Sequence, residues 1–524
     1  MLKQLSDQDA SYLYVETPET PAHVGSLSLV DLPAGYRGSF FDQYKAAVAS
    51  RMALIPFMHS KLAALPLDLD RPFWVEDPSV DIDYHVRRVS VPAPGGLGEL
   101  FALVGELHAT PLDRSRPLWE FYAIDGLATG QVAIYVKIHH TAMDGASSQA
   151  VVATLYDLTP VPRTVAAPVI EPDEGSGARS LARNVLVHRL QQVIRGVQYV
   201  PELLTALTHA LLPDPATLKF HPLPWWDRAP TTLFNVGITG KRVYAARTLP
   251  LAAVKQLAKQ TSTKVNDVIL ALCSGALRGY LADRGALPKR SMTAMVPVAP
   301  PVRPDVAAAN RNGLFLCSLA SHVADPYGRL VAIHRSAVAQ KLRFELFNGF
   351  PLPDLPLPGI GAIVHKLVEL YGRSRFVGRP PLLGNLVISN VQGSPTPLYI
   401  AGTRLASMYP CSIPFHGQAL NITVESYCDR LDFGLVACPR AVPDLAELAD
   451  RLADELAALQ AAVARRGLAA NVRPVGEPRS EPRATQTTDP ASRRPMATGS
   501  RARSAWDAID PDTLQRLEVN HGTT

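Results

Sequence analysis

Two adjacent histidines, His139 and His140, precede an Asp-Gly pair in the segment KIHHTAMDGASSQ, residues 137–149. The unperturbed pKa of an imidazole lies near neutral pH, so either histidine could act as a general base. Alternatively, both histidines could lie in the core or on the surface without any chemical role. The elements on either side of the pair decide between these possibilities.

The ten residues QVAIYVKIHH, at 131–140, predict a buried strand that ends at the two histidines. Successive side chains of a strand point to opposite faces. His140 therefore continues the apolar face of Ile134 and Ile138, and His139 points with Tyr135 and Lys137. An imidazole at the end of a buried row is partly desolvated, which keeps it neutral. His140 is the better candidate for the general base.

A turn and a helix follow the histidines. Asp144 and Gly145 predict a chain reversal, and the helical spacing of apolar residues up to Leu158 predicts a helix over residues 146–158. Asp144 would then lie near the N-terminus of that helix. It could cap the helix, form a structural salt bridge or contact His140 directly, and the sequence leaves these roles open.

The composition is that of a proline-rich globular protein with a net charge of +5 over 524 residues. Residues 465–503 hold nine arginines against three acidic residues, a local charge of +6, so the rest of the chain is near neutral. A near-neutral body argues against nucleic-acid binding. The five cysteines show no CxxC spacing, which indicates reduced thiols in a cytosolic protein.

The N-terminus has no apolar leader, and no stretch reaches the roughly 18 uninterrupted apolar residues of a spanning helix. Any membrane contact should therefore be peripheral. Two segments could provide it. One is the basic tail, and the other is the stretch 176–200, which combines an apolar helical stripe with four arginines and no acidic residue. The second segment could equally be a connector packed between two domains.

The chain divides by composition into four parts. Residues 1–160 mix strands, at 24–32 and 131–138, with helices at 41–52 and 98–110, an α/β or α+β pattern. Residues 161–233 predict a Pro-rich and helical linker. Residues 234–464 predict a second domain with a helix from about 266, strands at 293–298, 314–319 and 385–389, a hairpin at 419–437 and a last helix at 445–464. Residues 465–524 predict a disordered tail.

The segment HHTAMDG has the HHxxxDG form of the acyl-CoA-dependent acyltransferases, whose fold resembles chloramphenicol acetyltransferase. Further motifs are similar, in order and nearly end to end, to the bacterial wax ester synthase/diacylglycerol acyltransferase family. They are LSDQDASYLYVETPETPAHVGSLSL, RPFWVEDPSVDIDYHV, PLDRSRPLWEFY, FNVGITGKR, VNDVILAL, NLVISNVQGSPTPLYIAG and ALNITVESY. The resemblance covers residues 5–461. It implies two acetyltransferase-like domains.

The resemblance also implies a function and a set of site residues. The chain would transfer a long-chain acyl group from CoA to the hydroxyl of diacylglycerol or of a fatty alcohol, with acyl-CoA as substrate and no cofactor. The family's catalytic histidine corresponds to His140, its acid to Asp144, and His139 and Gly145 complete the motif. The remaining motif residues would line the substrate channel or act structurally; they are Pro117, Leu118, Trp119, Asn266 and Asp267.

The predicted chemistry needs no covalent acyl-enzyme. The sequence has neither a GxSxG elbow nor a papain-like cysteine setting. A metal is not expected, because HExxH is absent and two strand-end histidines on opposite faces cannot easily bind one ion. The implied location is the cytoplasm, peripherally at the inner face of the membrane or on lipid inclusions.

One departure from the family lies at VPVAPPVRPDVAAANRNGLFLC. Family members carry a Ser-Val-Arg run after the VPV strand and a Gly-Asn ahead of a Ser, whereas this chain has extra prolines and Arg311-Asn312. If the loop 299–313 shapes the substrate environment, chain-length preference or activity could differ. Two alternatives stay open: a condensation-type enzyme that uses carrier-protein thioesters, since such enzymes share the HHxxxDG motif, and a weakly active lipid-binding homologue, which only the altered loop supports.

Overall fold

The computed structural model of the protein describes residues 3–63, 71–143, 145–165, 229–298, 313–346, 360–379, 382 and 384–471. Most of the predicted linker, the divergent loop and nearly all of the tail lie outside these residues, and so does Asp144. The predictions made for them are not addressed by the structure.

The first half of the chain alternates short helices and strands. A short 3-10 helix occupies Pro56–His59. The helices are α1 (Asp7–Val15), α2 (Phe40–Met52), α3 (Ile82–His85), α4 (Leu97–Ala109) and α5 (Gly145–Leu155). The strands are β1 (Lys3–Gln4), β2 (His23–Asp31), β3 (Ser60–Ala63), β4 (Phe73–Glu76), β5 (Val86–Ser90), β6 (Trp119–Asp125) and β7 (Val132–His139).

The second half contains longer helices. They are α6 (Leu251–Gln260), α7 (Val265–Asp283), α8 (Pro326–Leu346), α9 (Ile360–Arg373) and α10 (Leu445–Asn471). The strands are β8 (Val243–Pro250), β9 (Thr293–Val298), β10 (Gly313–Ser318), β11 (Leu386–Gln392), β12 (Tyr399–Ile400), β13 (Thr403–Cys411), β14 (Leu420–Tyr427) and β15 (Arg430–Ala437).

These strands form two six-stranded sheets and one small sheet. The first sheet has the order β12-β13-β2-β7-β6-β5, and all its neighbours are antiparallel except β5 and β6. The second has the order β10-β9-β11-β14-β15-β8, with β11 parallel to both β9 and β14. The small sheet has the order β1-β4-β3. The mixed sheets and intervening helices match the predicted α/β class.

The first sheet is not built from a contiguous part of the chain. β13, from the second half, pairs antiparallel with β2 from Arg404 opposite Asp31 to Cys411 opposite Gly25. The same strand contacts β14 and β15 of the second sheet, where Met408 N–H donates to Asp432 Oδ2 at 2.9 Å. β13 therefore joins the two sheets, a crossover that the contiguous predicted domains do not contain.

The two sheets approach so closely at one point that only glycine fits there. A Cβ built on Gly434 of β15 would lie 1.7 Å from the carbonyl oxygen of Pro410 on β13. Tyr427 adds a polar link, because its hydroxyl donates to Leu405 O at 2.9 Å and accepts from Leu398 N–H at 2.9 Å. Backbone proximity at Gly434, the Tyr427 hydroxyl and the Met408–Asp432 hydrogen bond thus all contribute to holding the sheets together.

The helix after the histidines ends earlier than predicted. α5 stops at Leu155, and Leu158 lies beyond it with a 52% exposed side chain. The cause is Asp157, which exchanges backbone hydrogen bonds of 2.8 Å with Tyr399 of β12 and so leaves the helical path. Its buried carboxylate also pairs with buried Arg51, Nη2 to Oδ2 at 2.7 Å.

α7 is the central helix of the second half. By length and composition it is the single described helix that could cross a membrane, but 72% of that stretch is buried within the protein. A helix that is apolar all round packs in the core of a large protein. All five cysteines are free in the structure; four are buried and Cys428 is half-buried.

Candidate active site

The end of β7 is fixed by the backbone on both sides. His139 N–H donates to Leu118 O at 3.0 Å, and His140 N–H donates to Ala22 O at 2.9 Å. The predicted alternation is present in the packing. Ile134 and Ile138 belong to one core cluster, and Ala133 and Tyr135 belong to the cluster on the other side of the sheet. The two histidines consequently enter different surroundings.

His140 lies half-buried just after the strand. Its ring stacks on the ring of Tyr12 from α1, with centroids 3.8 Å apart and an interplanar angle of 13°. Stacking restricts the rotation of an imidazole. Tyr12 is a site residue that the strand pattern could not reveal, although it belongs to the opening motif LSDQDASYLYVE.

His139 is completely buried. Its Nδ1 accepts a hydrogen bond from Thr141 N–H at 3.1 Å, so the neutral ring carries its proton on Nε2. That nitrogen faces Glu16 Oε1 at 3.4 Å. A side chain with no exposed surface and with both nitrogens directed at protein groups does not reach a substrate. His139 therefore supports the turn, and His140 is the partly exposed histidine of the pair.

Glu16, which follows α1, is the anion of this buried network. Burial acts to raise its pKa, but the His139 imidazole, the Arg114 guanidinium and the Ala22 N–H together lower the pKa to about 2. Arg114 Nε donates to Glu16 Oε2 at 2.9 Å, and Ala22 N–H donates to Oε1 at 2.9 Å. Glu16 is thus ionised, and it ties α1 to the histidine pair.

The buried face of β7 carries further polar groups beside His139. Lys137 Nζ pairs with Glu120 Oε2 at 2.8 Å and is fully buried. His108 Nδ1 lies 2.7 Å from the Tyr135 hydroxyl, and burial lowers the pKa of His108 to about 3. His23, opposite His139 in β2, also has its pKa lowered far below the usual range by burial. Both of these imidazoles are therefore neutral at physiological pH.

The Pro117-Leu118-Trp119 motif lies at the start of β6, the strand that pairs with β7 in the first sheet. Leu118 provides the carbonyl that accepts from His139 N–H, as described above. Trp119 is fully buried, its Nε1 donates to Met58 O at 2.9 Å, and its ring stacks on His85 with centroids 4.3 Å apart. Of the two roles left open for this motif, the packing of Trp119 favours the structural one.

The Asn266-Asp267 pair begins α7. Asp267 is buried, and its Oδ2 accepts from the N–H of Lys264, the residue that caps the N-terminus of α7, at 2.9 Å. The same oxygen lies 2.6 Å from Nδ1 of His334 on α8. Asn266 Oδ1 accepts from Nδ2 of Asn390, on β11, at 3.3 Å. These contacts favour a helix-capping role, and His334 is a partner that sequence spacing did not indicate.

Gly145 is the first residue of α5, so the Asp-Gly pair stands where the predicted helix begins. The structure does not address the role of Asp144, which lies outside the described residues, and the catalytic assignment stays a prediction. Two mixed sheets, with a half-buried histidine at the end of a central strand followed by a turn and a helix, have the arrangement that the resemblance to the HHxxxDG acyltransferases implied.

Comparison with known proteins narrows this class. Residues 5–269 match the wax ester synthase/diacylglycerol acyltransferase catalytic domain, and residues 308–460 match the C-terminal domain of the same proteins. A probable diacylglycerol O-acyltransferase of Mycobacterium tuberculosis is 36% identical over 469 residues, which span 87% of this chain and 98% of that protein. The chain belongs to the wax ester synthase/diacylglycerol acyltransferase family and is an acyltransferase, as the resemblance implied.

Solved structures agree with the assignment. The wax ester synthase/diacylglycerol acyltransferase from Marinobacter aquaeolei VT8 is 29% identical, with a TM-score of 0.63 over 88% of this chain and all of that one. The first condensation domain of the CDA synthetase is 15% identical with a TM-score of 0.53, a likeness of fold alone. The predicted fold of two acetyltransferase-like domains is confirmed.

Proposed function

We propose that the protein transfers a long-chain acyl group from CoA to the hydroxyl of diacylglycerol, of a fatty alcohol or of both, with His140 as general base. Triacylglycerol or a wax ester would be the product. The relatives support diacylglycerol as an acceptor, since one at 36% identity is named a probable diacylglycerol O-acyltransferase. The Marinobacter protein supports an alcohol acceptor as well, because its name includes wax ester synthase.

His140 performs both proton transfers of this mechanism. It takes the proton of the acceptor hydroxyl as the oxygen attacks the thioester carbonyl, and the C–O bond forms. The C–S bond then breaks, and the protonated imidazole returns the proton to the departing thiolate of CoA. A positioned general base contributes roughly 10²–10⁴ in rate. No acyl-enzyme forms, and no cofactor takes part.

The observation that carries the proposal is the contrast between the two histidines. His140 is half-buried and stacked on Tyr12, whereas His139 has no exposed surface. Only an exposed imidazole can exchange a proton with a substrate hydroxyl. We further propose that the enzyme works peripherally, at the cytoplasmic face of a membrane or on lipid inclusions, because its acceptors partition into lipid.

The test is an assay of the purified protein with palmitoyl-CoA and either dioleoylglycerol or hexadecanol. His140→Ala should reduce product to background, a loss of about 10²–10⁴, with an unchanged melting temperature. His139→Ala should keep measurable turnover, yet melt at lower temperature, because it removes a buried partner of Glu16 at a cost of about 1–3 kcal/mol. His322→Ala, at an exposed position, is the matched control.

Equal and mild losses for the two histidine variants would contradict the assignment of His140. Asp144→Asn distinguishes an orienting acid from a helix cap, because only the first role lowers turnover while the melting temperature stays the same. Activity with palmitoyl carrier protein but not with palmitoyl-CoA would favour the condensation-type alternative. Binding of both lipids without turnover would indicate a lipid-binding homologue.

A further inference from the structure

One surface of the protein concentrates exposed apolar side chains. Of the twelve exposed large hydrophobic residues in the described part of the chain, five lie between positions 363 and 376. They are Ile363, Leu367, Leu370, Tyr371 and Phe376, exposed by 55%, 60%, 64%, 41% and 63%. Single exposed leucines need no explanation, but a contiguous group marks an interaction site.

The group follows the geometry of one helix. Ile363, Leu367 and Leu370 recur at i, i+4 and i+7 on α9 and therefore form one stripe. The opposite side of α9 packs against α1, where a Cβ on Gly361 would lie 2.3 Å from the ring of Tyr14, and His365 Nδ1 lies 3.3 Å from Tyr14 O. The helix is thus anchored on one side and presents a leucine-rich stripe on the other.

The charges around this stripe are mostly positive. Residues 360–379 hold four cations, Lys366, Arg373, Arg375 and Arg379, against the single acidic residue Glu369. Lys366 and Arg373, exposed by 74% and 69%, flank the stripe on one side and both pair with Glu369. An apolar stripe with a basic border is the pattern of a helix that lies in the interface of an anionic bilayer.

The stripe is connected to the candidate site through α1. α1 contacts α9 through Tyr14, and two residues earlier the same helix stacks Tyr12 on His140. A lipid surface that touched the stripe would therefore be separated from the histidine by α9 itself and by α1.

We propose that the exposed face of α9, formed by Ile363, Leu367 and Leu370 with Lys366 and Arg373 beside them, docks the protein on an anionic lipid surface. This inference rests on the proposed function only for the statement that the acceptor comes from that surface. Docking itself requires the apolar insertion of the stripe and the attraction of the cations to lipid phosphate.

The experiment measures flotation of the full-length protein with vesicles of phosphatidylcholine alone or with phosphatidylglycerol added. Leu367→Gln/Leu370→Gln should weaken binding to the mixed vesicles about tenfold or more, because two inserted leucines are lost. Lys366→Gln/Arg373→Gln should weaken binding to the anionic vesicles by up to about fivefold per charge, with the difference fading at high salt.

Two matched variants control for a general loss of surface leucine or lysine. Leu97→Gln/Leu158→Gln removes leucines exposed by 47% and 52% elsewhere, and Lys255→Gln/Lys259→Gln removes exposed lysines of α6. Neither should change flotation. All variants should turn over soluble short-chain substrates like the unaltered protein, so docking and catalysis are read separately.

Unchanged flotation of both α9 variants would overturn the proposal and direct attention to residues 176–200 and to the tail. A dimer that dissociates in the leucine variant, with no flotation of the unaltered protein, would overturn it in favour of a second copy on this face. Flotation that depends on α9, in a protein inactive on every substrate, would support docking while contradicting the proposed function.

Discussion

Glu16 couples protonation of the site to folding. Its pKa of about 2 lies below the ordinary value of 4.5, because His139, Arg114 and Ala22 favour the ionised form more than burial disfavours it. A depressed pKa contributes stability that is fully present above about pH 4.5 and is lost as the pH falls towards 2. At neutral pH the ionised Glu16 therefore makes its full contribution to stability. It does so next to the candidate base, because Glu16 contacts His139.

Glu16→Gln should therefore lower the melting temperature at pH 7, by about 1 °C for each kcal/mol lost from a unit of this size. The gap between variant and unaltered protein should close as the pH falls from about 4.5 towards 2. The turnover number should fall about tenfold, since small displacements of a catalytic group are costly. Calorimetry across pH, together with the palmitoyl-CoA assay, checks both parts.

Glu106→Gln, at an exposed position of α4, is the control for loss of a carboxylate and should change neither quantity. A melting-temperature gap that stays constant from pH 7 to pH 3 would show that the charge of Glu16 is not what stabilises the site.

The site was only partly predictable from the sequence, for a reason visible in its residues. Strand alternation depends only on neighbours in sequence, and it correctly predicted that His139 and His140 lie in different surroundings. Tyr12 and Glu16 reach the pair from a helix more than a hundred positions earlier, and no local periodicity reports such contacts. Their motif signalled that the opening segment matters without saying which of its side chains meet the histidines.

At the scale of elements, α7 and α8 are joined where α7 begins. Asp267 accepts from Lys264 N–H and from His334 on α8 with the same carboxylate oxygen. Buried capping groups of this kind stabilise a helix by about 0.5–2 kcal/mol, and hydrogen bonds to a charged group contribute somewhat more. Asp267 of the Asn-Asp motif therefore links the first turn of α7 to α8.

Asp267→Asn should lower the melting temperature by an amount equivalent to about 1–3 kcal/mol and leave the turnover number within about twofold below the transition. His334→Ala should cause a smaller loss. The double variant should lose less than the sum of the two, because both changes remove the same contact. Differential scanning calorimetry and the acyltransfer assay give the three comparisons.

Asp283→Asn, at the other end of α7 and in an exposed pair with Arg451, is the matched control and should have almost no effect. A collapse of turnover in Asp267→Asn at an unchanged melting temperature would assign this residue to catalysis and contradict the capping role.

Elements with a strong local pattern were predicted nearly to the residue, such as the strand Thr293–Val298 and the hairpin strands Leu420–Tyr427 and Arg430–Ala437. β13 was missed because Pro410 lies within it, and proline weakens a strand prediction. The strand tolerates this proline because its neighbour β12 has only two residues, Tyr399–Ile400, and ends before that point. The strand is defined by its pairing with β2, and a contact so distant in sequence leaves no pattern in the neighbouring residues.

For the whole molecule, Gly434 sets how closely the two sheets can approach. A methyl group there would overlap the carbonyl oxygen of Pro410, which belongs to backbone and cannot rotate away. Overpacking a tight contact costs about 1–3 kcal/mol and sometimes more. The cost would fall on the junction of both sheets.

Gly434→Ala should therefore lower the melting temperature by several degrees and reduce the soluble yield, with a proportionate loss of activity. Gly98→Ala, on α4, is the control, because a Cβ there meets nothing within 4 Å and alanine favours a helix. Equal melting temperatures for the two alanine variants would show that the sheets separate without cost.

The contribution of β13 to the first sheet also constrains how the chain matures during synthesis. Leu29 and Ser407, which meet through a hydrogen bond, are 378 residues apart along the chain. At about 5–20 residues per second, a ribosome needs roughly 20–75 s to proceed from one to the other. For that time the nascent β2 presents an unpaired edge, which can pair with a strand of another chain. Each newly made molecule thus passes through a period of susceptibility to aggregation that ends only when residues near 411 have left the exit tunnel.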